Sequence, residues 1–338
     1  MKIAIIGAGA VGCVLAESLT KAGEDVTLVG REDQVQTLNT KGLTVKRSGG
    51  AETVDVRAEV RLSAAHEVVV LATKTQDMEQ AVESNRRYLD GCSILTTQNG
   101  VRADAVAADH LDQERLMSSI VMFGATYTKL GHVTLNFDGS LIIGRPFPLP
   151  EAMSLGDAEV HAVAEVMGRA FGVVVTHDIM AMKYLKLFVN FNNCVPALIG
   201  QSMQATFSDM DLCRLCVMLL REGVEVVRSA GIEMVSLPEL PKERISSLVS
   251  LPIDDAAKII GKTLTGLSHE PLYGSILQSI LRGKSSEIDF INGEVVRMAD
   301  RGHAQAPLNR RVVDMVHEVE RTGRFFGADE VKRAFELH

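Results

Sequence analysis

Short apolar runs alternate with stretches of helical periodicity over the first hundred residues of the chain. The run Lys2–Ile6 ends in a glycine, and residues 11–21 then place apolar side chains at helical spacing. Further apolar runs follow at Asp25–Val29 and at residues 67–72 and 93–97. Strands that alternate with helices are typical of βαβ units, so we predict a parallel sheet with helices on both faces.

The pattern changes after residue 121. Residues 125–128, 132–136 and 141–143 form short extended runs separated by glycines and by Asp138. Such spacing is typical of antiparallel hairpin strands. A helix is predicted over residues 157–171, followed by a last strand at residues 173–176.

From Asp178 onward, helical periodicities dominate and strand signals almost disappear. Loops are predicted at residues 231–242 and 250–254. We therefore predict an α/β fold class with two domains, residues 1–177 with a parallel sheet and an all-helical domain at residues 178–338.

Composition and charge narrow the class of protein. The chain has 338 residues, 46% of them hydrophobic and 23% charged, which is typical of a globular protein. With 35 Lys and Arg against 43 Asp and Glu, no Trp and 4% aromatic residues, it offers little surface for nucleic acid. There is no long apolar stretch for a membrane span and no signal peptide at the start. Five scattered cysteines do not indicate a disulfide framework, so we expect a cytoplasmic protein.

The strongest motif follows the first predicted strand. It is a complete G-x-G-x-x-G, formed by Gly7, Ala8, Gly9, Ala10, Val11 and Gly12. Between a strand and a helix, these glycines allow a tight turn, close approach to a pyrophosphate and close helix packing. The amides at the helix N-terminus favour phosphate. We therefore predict a Rossmann-type dinucleotide-binding domain; the alternative is a glycine-rich turn without a ligand.

The end of the second predicted strand bears on the choice of cofactor. NAD sites commonly carry an acidic residue there, whereas this chain has Gly30 and Arg31. A guanidinium can bind a 2′-phosphate with two hydrogen bonds, so the sequence predicts NADP (NADPH). The alternative is that Arg31 is a solvated loop residue.

Polar residues recur along one predicted helix at residues 182–198. At 3.6 residues per turn, Lys186, Asn190 and Asn193 share one face of this otherwise apolar helix. Burying them without partners is costly, so they face solvent or line a cleft that binds a polar ligand.

Another group of polar residues extends from Ser275 to Glu287. On one straight helix these two residues would lie about 18 Å apart, so a turn near Gly283 is required if both are to touch one small ligand. The alternative makes Ser285 or Ser286 a helix cap and Glu287 a first-turn residue.

Together these residues resemble the ketopantoate reductase (2-dehydropantoate 2-reductase) family, from Met1 to about Glu320. The resemblance includes the glycine motif, the segment that begins at Lys74, Gln98-Asn99-Gly100, Lys186 with Asn190, Ser275, and the block from Ser286 to Gly293.

The resemblance implies NADPH-dependent reduction of a small 2-oxo acid, with Lys186 as proton donor and Glu287 as an acidic residue near substrate and nicotinamide. Asn190, Ser275 and Asn193 would bind substrate. Two further implied roles are that Asn99 bridges cofactor and substrate and that Lys74 and Gln76 contact the adenosine end.

The sequence departs from the family pattern at several positions. The second substrate asparagine falls on Cys194 when counted without gaps, or on Asn193 with a one-residue deletion. Ser279 replaces a usual aspartate, and Tyr184 a common tryptophan. These departures leave open a family member that reduces a different 2-oxo acid.

Two further points stay open. A non-catalytic sensor that binds NADPH is the alternative from another class. Cys213 and Cys216 form one C-x-x-C pair within a helical run, but no second Cys or His pair has zinc spacing, so no metal is expected. Sequence periodicity does not distinguish an interface from a core, so a homodimer stays open.

Overall fold

The computed structural model describes residues 1–149, 157–268, 270–302 and 304–337. It divides the chain into two compact units. Unit 1 comprises Met1–Gln98 and Arg102–Met180, and unit 2 comprises Asn99–Val101 and Ala181–His338. The short segment 99–101 therefore belongs with the helical part of the chain. The predicted boundary between residues 177 and 178 stays a prediction.

Unit 1 is built around a large twisted sheet. The strands are β1 (Lys2–Ile6), β2 (Asp25–Val29), β3 (Leu43–Arg47), β4 (Gly50–Val54), β5 (Arg57–Glu59), β6 (Val68–Leu71), β7 (Ser93–Thr96), β8 (Leu116–Val121), β9 (Gly124–Lys129), β10 (His132–Phe137), β11 (Leu141–Gly144) and β12 (Val173–Val175). The helices are α1 (Ala10–Lys21), α2 (Glu32–Lys41), α3 (Met78–Asn85), α4 (Ala103–Ala108) and α5 (Ala158–Gly168).

In the large sheet, the strand order is β12-β11-β8-β7-β6-β1-β2-β5. Neighbours pair in parallel, apart from the antiparallel pair β11 and β8. The strand order places β1 in the interior of the sheet, between β6 and β2. The predicted parallel sheet is therefore confirmed, with one antiparallel pair.

Alternate residues of β1 serve the two faces of the sheet. Ile3 and Ile5 belong to a core that includes side chains of α1 and α5, while Ala4 and Ile6 pack in a second core with residues of α3 and α4. Because successive side chains of a strand point to opposite faces, a continuous apolar run needs cover on both sides. The expectation of helices on both faces is confirmed.

The predicted hairpin strands are only partly correct. β9 and β10 form an antiparallel pair in a separate sheet of order β4-β3-β10-β9. β11 instead pairs with β8 and β12 in the large sheet. The reason is burial, since Leu141, Ile142 and Ile143 are all fully buried and such a run suits a sheet interior.

Unit 2 is helical, as predicted. Its helices are α6 (Ile179–Asn190, which begins in unit 1), α7 (Cys194–Ile199), α8 (Met203–Phe207), α9 (Met210–Ser229), α10 (Lys242–Ser250), α11 (Ile253–Thr265), α12 (Ser275–Leu281), α13 (Asn292–Asp300), α14 (Pro307–Thr322) and α15 (Ala328–Ala334). The long helix α9 packs against α11, α13 and α14. The predicted loop 231–242 lies between α9 and α10, with Lys242 already in α10. The predicted loop 250–254 is shorter in the structure, since only Leu251 and Pro252 separate α10 from α11. Within the described ranges, no helix is long and apolar enough to cross a membrane.

Candidate active site

The glycine motif forms the turn between β1 and α1. Gly7 has a φ of +125°, and a Cβ there would lie 2.5 Å from the backbone carbon of Ala72. A Cβ on Gly12 would lie 1.9 Å from the oxygen of Gly7. Larger residues would force the turn open at both places. Helix α1 starts beyond Gly9, with no acidic residue in its first turn, so its free amides offer an anion site.

A buried glutamine braces this turn, and sequence reasoning missed it. Gln34 Nε2 donates to the carbonyl of Ala8 at 2.6 Å and lies 3.2 Å from the hydroxyl of Tyr127. Its Oε1 accepts the backbone N–H of Arg31 at 3.0 Å. A glutamine three residues after a helix cap commonly accepts such a bond, and that spacing was the available signal.

Arg31 is the residue that caps helix α2, directly after β2. Its side chain is 60% exposed, and its Nε lies 3.5 Å from Asp33 Oδ1. An exposed pair of this length contributes little stability. The guanidinium is therefore accessible at the end of the strand where the sequence predicted a phosphate contact.

Lys74 and Gln76 follow β6, at and just after the start of the 3-10 turn Thr75–Asp77. Lys74 is partly buried and Gln76 is exposed. Gln98 supports the segment before them, because its Nε2 donates to the carbonyls of Leu71 and Thr73, each at 2.8 Å. Since β1, β2 and β6 are parallel neighbours, the loops that follow them meet at one sheet edge.

In unit 2, helix α6 carries Lys186 and Asn190 one turn apart. Lys186 is partly buried. Desolvation by burial lowers the pKa of its ammonium from 10.5 to about 8, while the charge of Glu239 acts in the opposite direction. Glu239 precedes α10, in the predicted loop 231–242, and sequence reasoning did not single it out. The loop is tied to α6 by a bond from Val235 N to Ala181 O at 3.4 Å.

Asn190 meets the loop that follows β7. Its Nδ2 donates to Asn99 Oδ1 at 3.1 Å. The next residue, Gly100, has a φ of +86°, and a Cβ on it would lie 2.3 Å from the carbonyl oxygen of Phe290. Phe290 ends the 3-10 turn Ile288–Phe290 that directly follows Glu287. Unit 2 therefore brings together Asn99, Asn190 and the segment that carries Glu287.

The continuous helix predicted over residues 182–198 is wrong. Helix α6 ends at Asn190, and the 3-10 turn Phe191–Asn193 separates it from α7. Pro196 explains the break, because its ring displaces the carbonyl four residues earlier and it has no N–H to donate. Lys186 and Asn190 keep their helical spacing, whereas Asn193 is the last residue of the interruption.

Asn193 and Cys194 occupy different environments. Asn193 Oδ1 lies 2.7 Å from where a Cβ on Gly274 would stand, immediately before Ser275. Cys194 is fully buried, its Sγ donates to Phe191 O at 3.0 Å, and burial raises its pKa to about 12. The asparagine, not the cysteine, therefore approaches the residue before Ser275.

Ser275 begins helix α12 and is partly buried. The predicted turn is present, since α12 ends at Leu281 and Gly283 has a φ of +64°. Ser286 Oγ accepts the N–H of Ile288 at 3.3 Å, but the cap position of the 3-10 turn Ile288–Phe290 is Glu287. The alternative with Ser285 or Ser286 as the cap and Glu287 in the first turn is therefore wrong. Glu287 itself is partly buried.

Comparisons with known proteins agree with this architecture. Residues 3–146 match the family described as Ketopantoate reductase PanE/ApbA, and residues 178–320 match its C-terminal domain. A 2-dehydropantoate 2-reductase of Pyrococcus abyssi is 28% identical over 314 residues, 91% of this chain and 94% of the relative. One of Pyrococcus horikoshii is 27% identical, over 96% of this chain and 99% of the relative.

Solved structures share the fold. A PanE/ApbA family ketopantoate reductase from Ralstonia eutropha superposes with a TM-score of 0.77 at 25% identity, covering 95% of this chain and 99% of that one. A D-mandelate dehydrogenase solved with NADH and anilino(oxo)acetate has a TM-score of 0.79 at 19% identity, over 95% and 99% of the two chains. Because the two family matches together span most of the chain, it belongs to the ketopantoate reductase family of nicotinamide-dependent oxidoreductases.

Proposed function

We propose that this chain reduces a 2-oxo acid, 2-dehydropantoate, to the corresponding 2-hydroxy acid, pantoate, with NADPH. The observation that carries the proposal is Lys186, a partly buried lysine whose pKa falls to about 8, one helical turn from Asn190 and its partner Asn99. The names of the curated relatives support this substrate.

The residues of unit 1 fit a dinucleotide. No described atom lies within 4 Å of where a Cβ on Gly9 would stand, so that position is open for a ligand against the backbone. Residues 7–12 would hold the pyrophosphate, Arg31 the 2′-phosphate, and Lys74 with Gln76 the adenosine end. When bound, the cofactor supplies a hydride to the carbonyl carbon of the substrate.

Lys186 supplies the proton that the carbonyl oxygen takes up. An acid works best when its pKa is close to the working pH, and burial brings this lysine from 10.5 to about 8. Glu239 opposes that shift and keeps the ammonium charged near neutral pH. The positive charge also stabilises the negative charge that develops on the oxygen.

The remaining residues bind and orient the substrate. The carboxylate and the hydroxyl of the substrate would bind to the side-chain amides of Asn99, Asn190 and Asn193 and to the hydroxyl of Ser275. Glu287 would be the acidic residue near the substrate and the nicotinamide. The bond between Asn190 and Asn99 fixes both amides, which leaves their other polar atoms for a ligand. Asn193 fits the second asparagine position better than the buried Cys194 does.

A reductase of a different 2-oxo acid is the second candidate. It is favoured by Ser279, which replaces the usual aspartate, is buried, and donates its hydroxyl to the carbonyl of Ser275 at 2.9 Å. A changed group so close to Ser275 would alter which substrate fits. The cytoplasmic location stays a prediction.

The test is NADPH consumption with 2-dehydropantoate and a panel of other 2-oxo acids. Wild-type enzyme should favour 2-dehydropantoate, and Lys186→Ala should lose about a hundredfold or more in kcat while still binding NADPH. Lys262→Ala, on helix α11, is the matched control and should keep full activity. Preference for another 2-oxo acid would support the second candidate, and NADPH binding without turnover of any of them would contradict reduction.

A further inference from the structure

Ser286, which precedes Glu287, and Asp289, which follows it by two residues, both bond to side chains of helix α14. Glu320 Oε1 accepts the backbone N–H of Ser286 at 2.7 Å. The other oxygen of Glu320 lies 3.1 Å from His317 Nδ1, and His317 Nε2 lies 3.0 Å from Asp289 Oδ1. We call these three side chains, Glu320, His317 and Asp289, the histidine clamp. The clamp bridges the chain from one residue before Glu287 to two residues after it.

The chemistry of the clamp requires a charged ring. Carboxylates only accept hydrogen bonds, and a neutral imidazole has one N–H to donate. Both bonds of His317 can therefore form together only when the ring is an imidazolium. At neutral pH a ring without its second proton would leave either Asp289 or Glu320 facing a lone pair.

The surroundings favour that charged form. Burial works against the charged ring, but hydrogen bonds and the charges of Asp289 and Glu320 outweigh it and raise the pKa of His317 above 6.5. The charged side chains in contact with the ring are Asp289 from the 3-10 turn and Glu320 from α14. Asp314, Glu318 and Arg321 of α14 line the same cavity as the ring. Negative charge predominates among them.

Burial makes the segment sensitive to the clamp. Ser286 is 4% exposed and the Glu320 side chain 15% exposed, so water has little access to replace their bond. An amide that loses a partner in such a place carries the cost of desolvation. Glu320 therefore holds Ser286 through the backbone N–H and the side chain of that serine, and His317 links Glu320 to Asp289.

We propose that His317 is a positioning residue, whose imidazolium fixes residues 286–289 and thereby sets the direction of the Glu287 carboxylate. The inference rests on the proposed role of Glu287 in 2-oxo acid reduction. His317 acts through the segment and does not touch the substrate. Raising the pH until the ring loses its proton breaks one of the two bonds and loosens the segment.

Hydrogen exchange tests the clamp without any use of activity. In His317→Gln, the peptide that spans residues 284–291 should exchange about tenfold faster than in the wild type, because one bridged hydrogen bond is lost. Wild-type enzyme should show the same loosening as pH rises through the pKa of His317, after correction for the intrinsic pH dependence of exchange. Arg310→Gln, on the same helix, removes an exposed charge pair with Asp300 and is the control. Unchanged exchange in His317→Gln would overturn the proposal.

Kinetics then test the consequence for Glu287. His317→Gln should lower kcat/KM for the 2-oxo acid about tenfold, and should have no further effect in a Glu287→Gln background. If His317→Gln lowers kcat/KM by the same factor with and without Glu287→Gln, His317 supports only the fold, and its positioning role is overturned. If Glu287→Gln keeps wild-type turnover, the proposed role of Glu287 fails and the positioning role with it, while hydrogen exchange still decides whether the clamp exists.

Discussion

Asn190 donates a hydrogen bond to Asn99 across 91 residues of sequence. Asn99 follows strand β7 in the sequence, yet it belongs to unit 2. There it accepts this bond, and the neighbouring Gly100 lies close to Phe290. Each amide thereby restricts the other. Two groups that the sequence singled out separately form one pair.

The pair should behave as a unit. Asn99→Ala and Asn190→Ala should each lower kcat/KM, and the double variant should lose less than the product of the two losses, with a coupling energy of about 1 kcal/mol. A double-mutant cycle on purified enzyme measures this. Asn136→Ala, which removes a side-chain bond from β10 to Thr126 in β9, is the control. Independent effects at the two asparagines would contradict a shared role.

Arg31 should set the choice of cofactor. Its guanidinium is exposed and lies 3.5 Å from Asp33, the one ion-pair partner it has among the described residues, so it is available to a 2′-phosphate. Arg31→Ala should lower kcat/KM with NADPH by about tenfold to a hundredfold and leave the value with NADH almost unchanged, because a charge-assisted bond is lost with NADPH alone. Lys41→Ala, at the other end of α2, should change neither value. An equal loss with both cofactors would contradict the assignment.

Gly274 should control the position of Asn193. A methyl group at Gly274 would lie 2.7 Å from Asn193 Oδ1 and force that side chain to rotate. Because the obstacle is a side-chain end, the fold should survive, and Gly274→Ala should raise KM for the 2-oxo acid about tenfold with little change in Tm. Gly168→Ala is the control, at a position with no described atom within 4 Å of the new methyl group. An unchanged KM would remove Asn193 from the site.

Glu239 should tune the acidity of Lys186. Its charge raises the pKa of that lysine, so Glu239→Gln should lower the pKa and shift the alkaline limb of kcat/KM toward lower pH. Glu243→Gln, an exposed carboxylate in the first turn of α10, should leave the profile in place. A shift toward higher pH would contradict the sign of this interaction.

Local features of the sequence predicted unit 1 well. The turn at Gly7 and Gly12 could be predicted because its geometry depends on backbone atoms close by in the sequence. The continuous apolar run from Ile3 to Ile6 indicates a strand that is buried on both faces. The pairing of β11 was missed because strand order depends on contacts between distant segments. The extended runs alone do not show which sheet receives a strand.

The sequence predicted which residues belong to the candidate site better than it predicted how those residues are arranged. The shared face of Lys186 and Asn190 could be predicted from helical spacing. The break after Asn190 depends on Pro196, which disrupts the turn before it. Glu239 lies in the predicted loop 231–242, whose sequence has no helical or strand periodicity. Its effect on Lys186 comes from proximity in the fold, which spacing along the chain cannot show.

The pH dependence of kcat/KM for 2-oxo acid reduction tests the central claim, that Lys186 gives up the proton, most directly. The donor must be charged, and its pKa is about 8, so kcat/KM should be level at lower pH and fall tenfold per pH unit above about 8. Oxidation of the hydroxy acid needs the neutral amine and should rise over the same range. The break should persist in His317→Gln and disappear in Lys186→Arg, whose guanidinium stays charged. A level profile up to about pH 10, or an unchanged break in Lys186→Arg, would contradict the account.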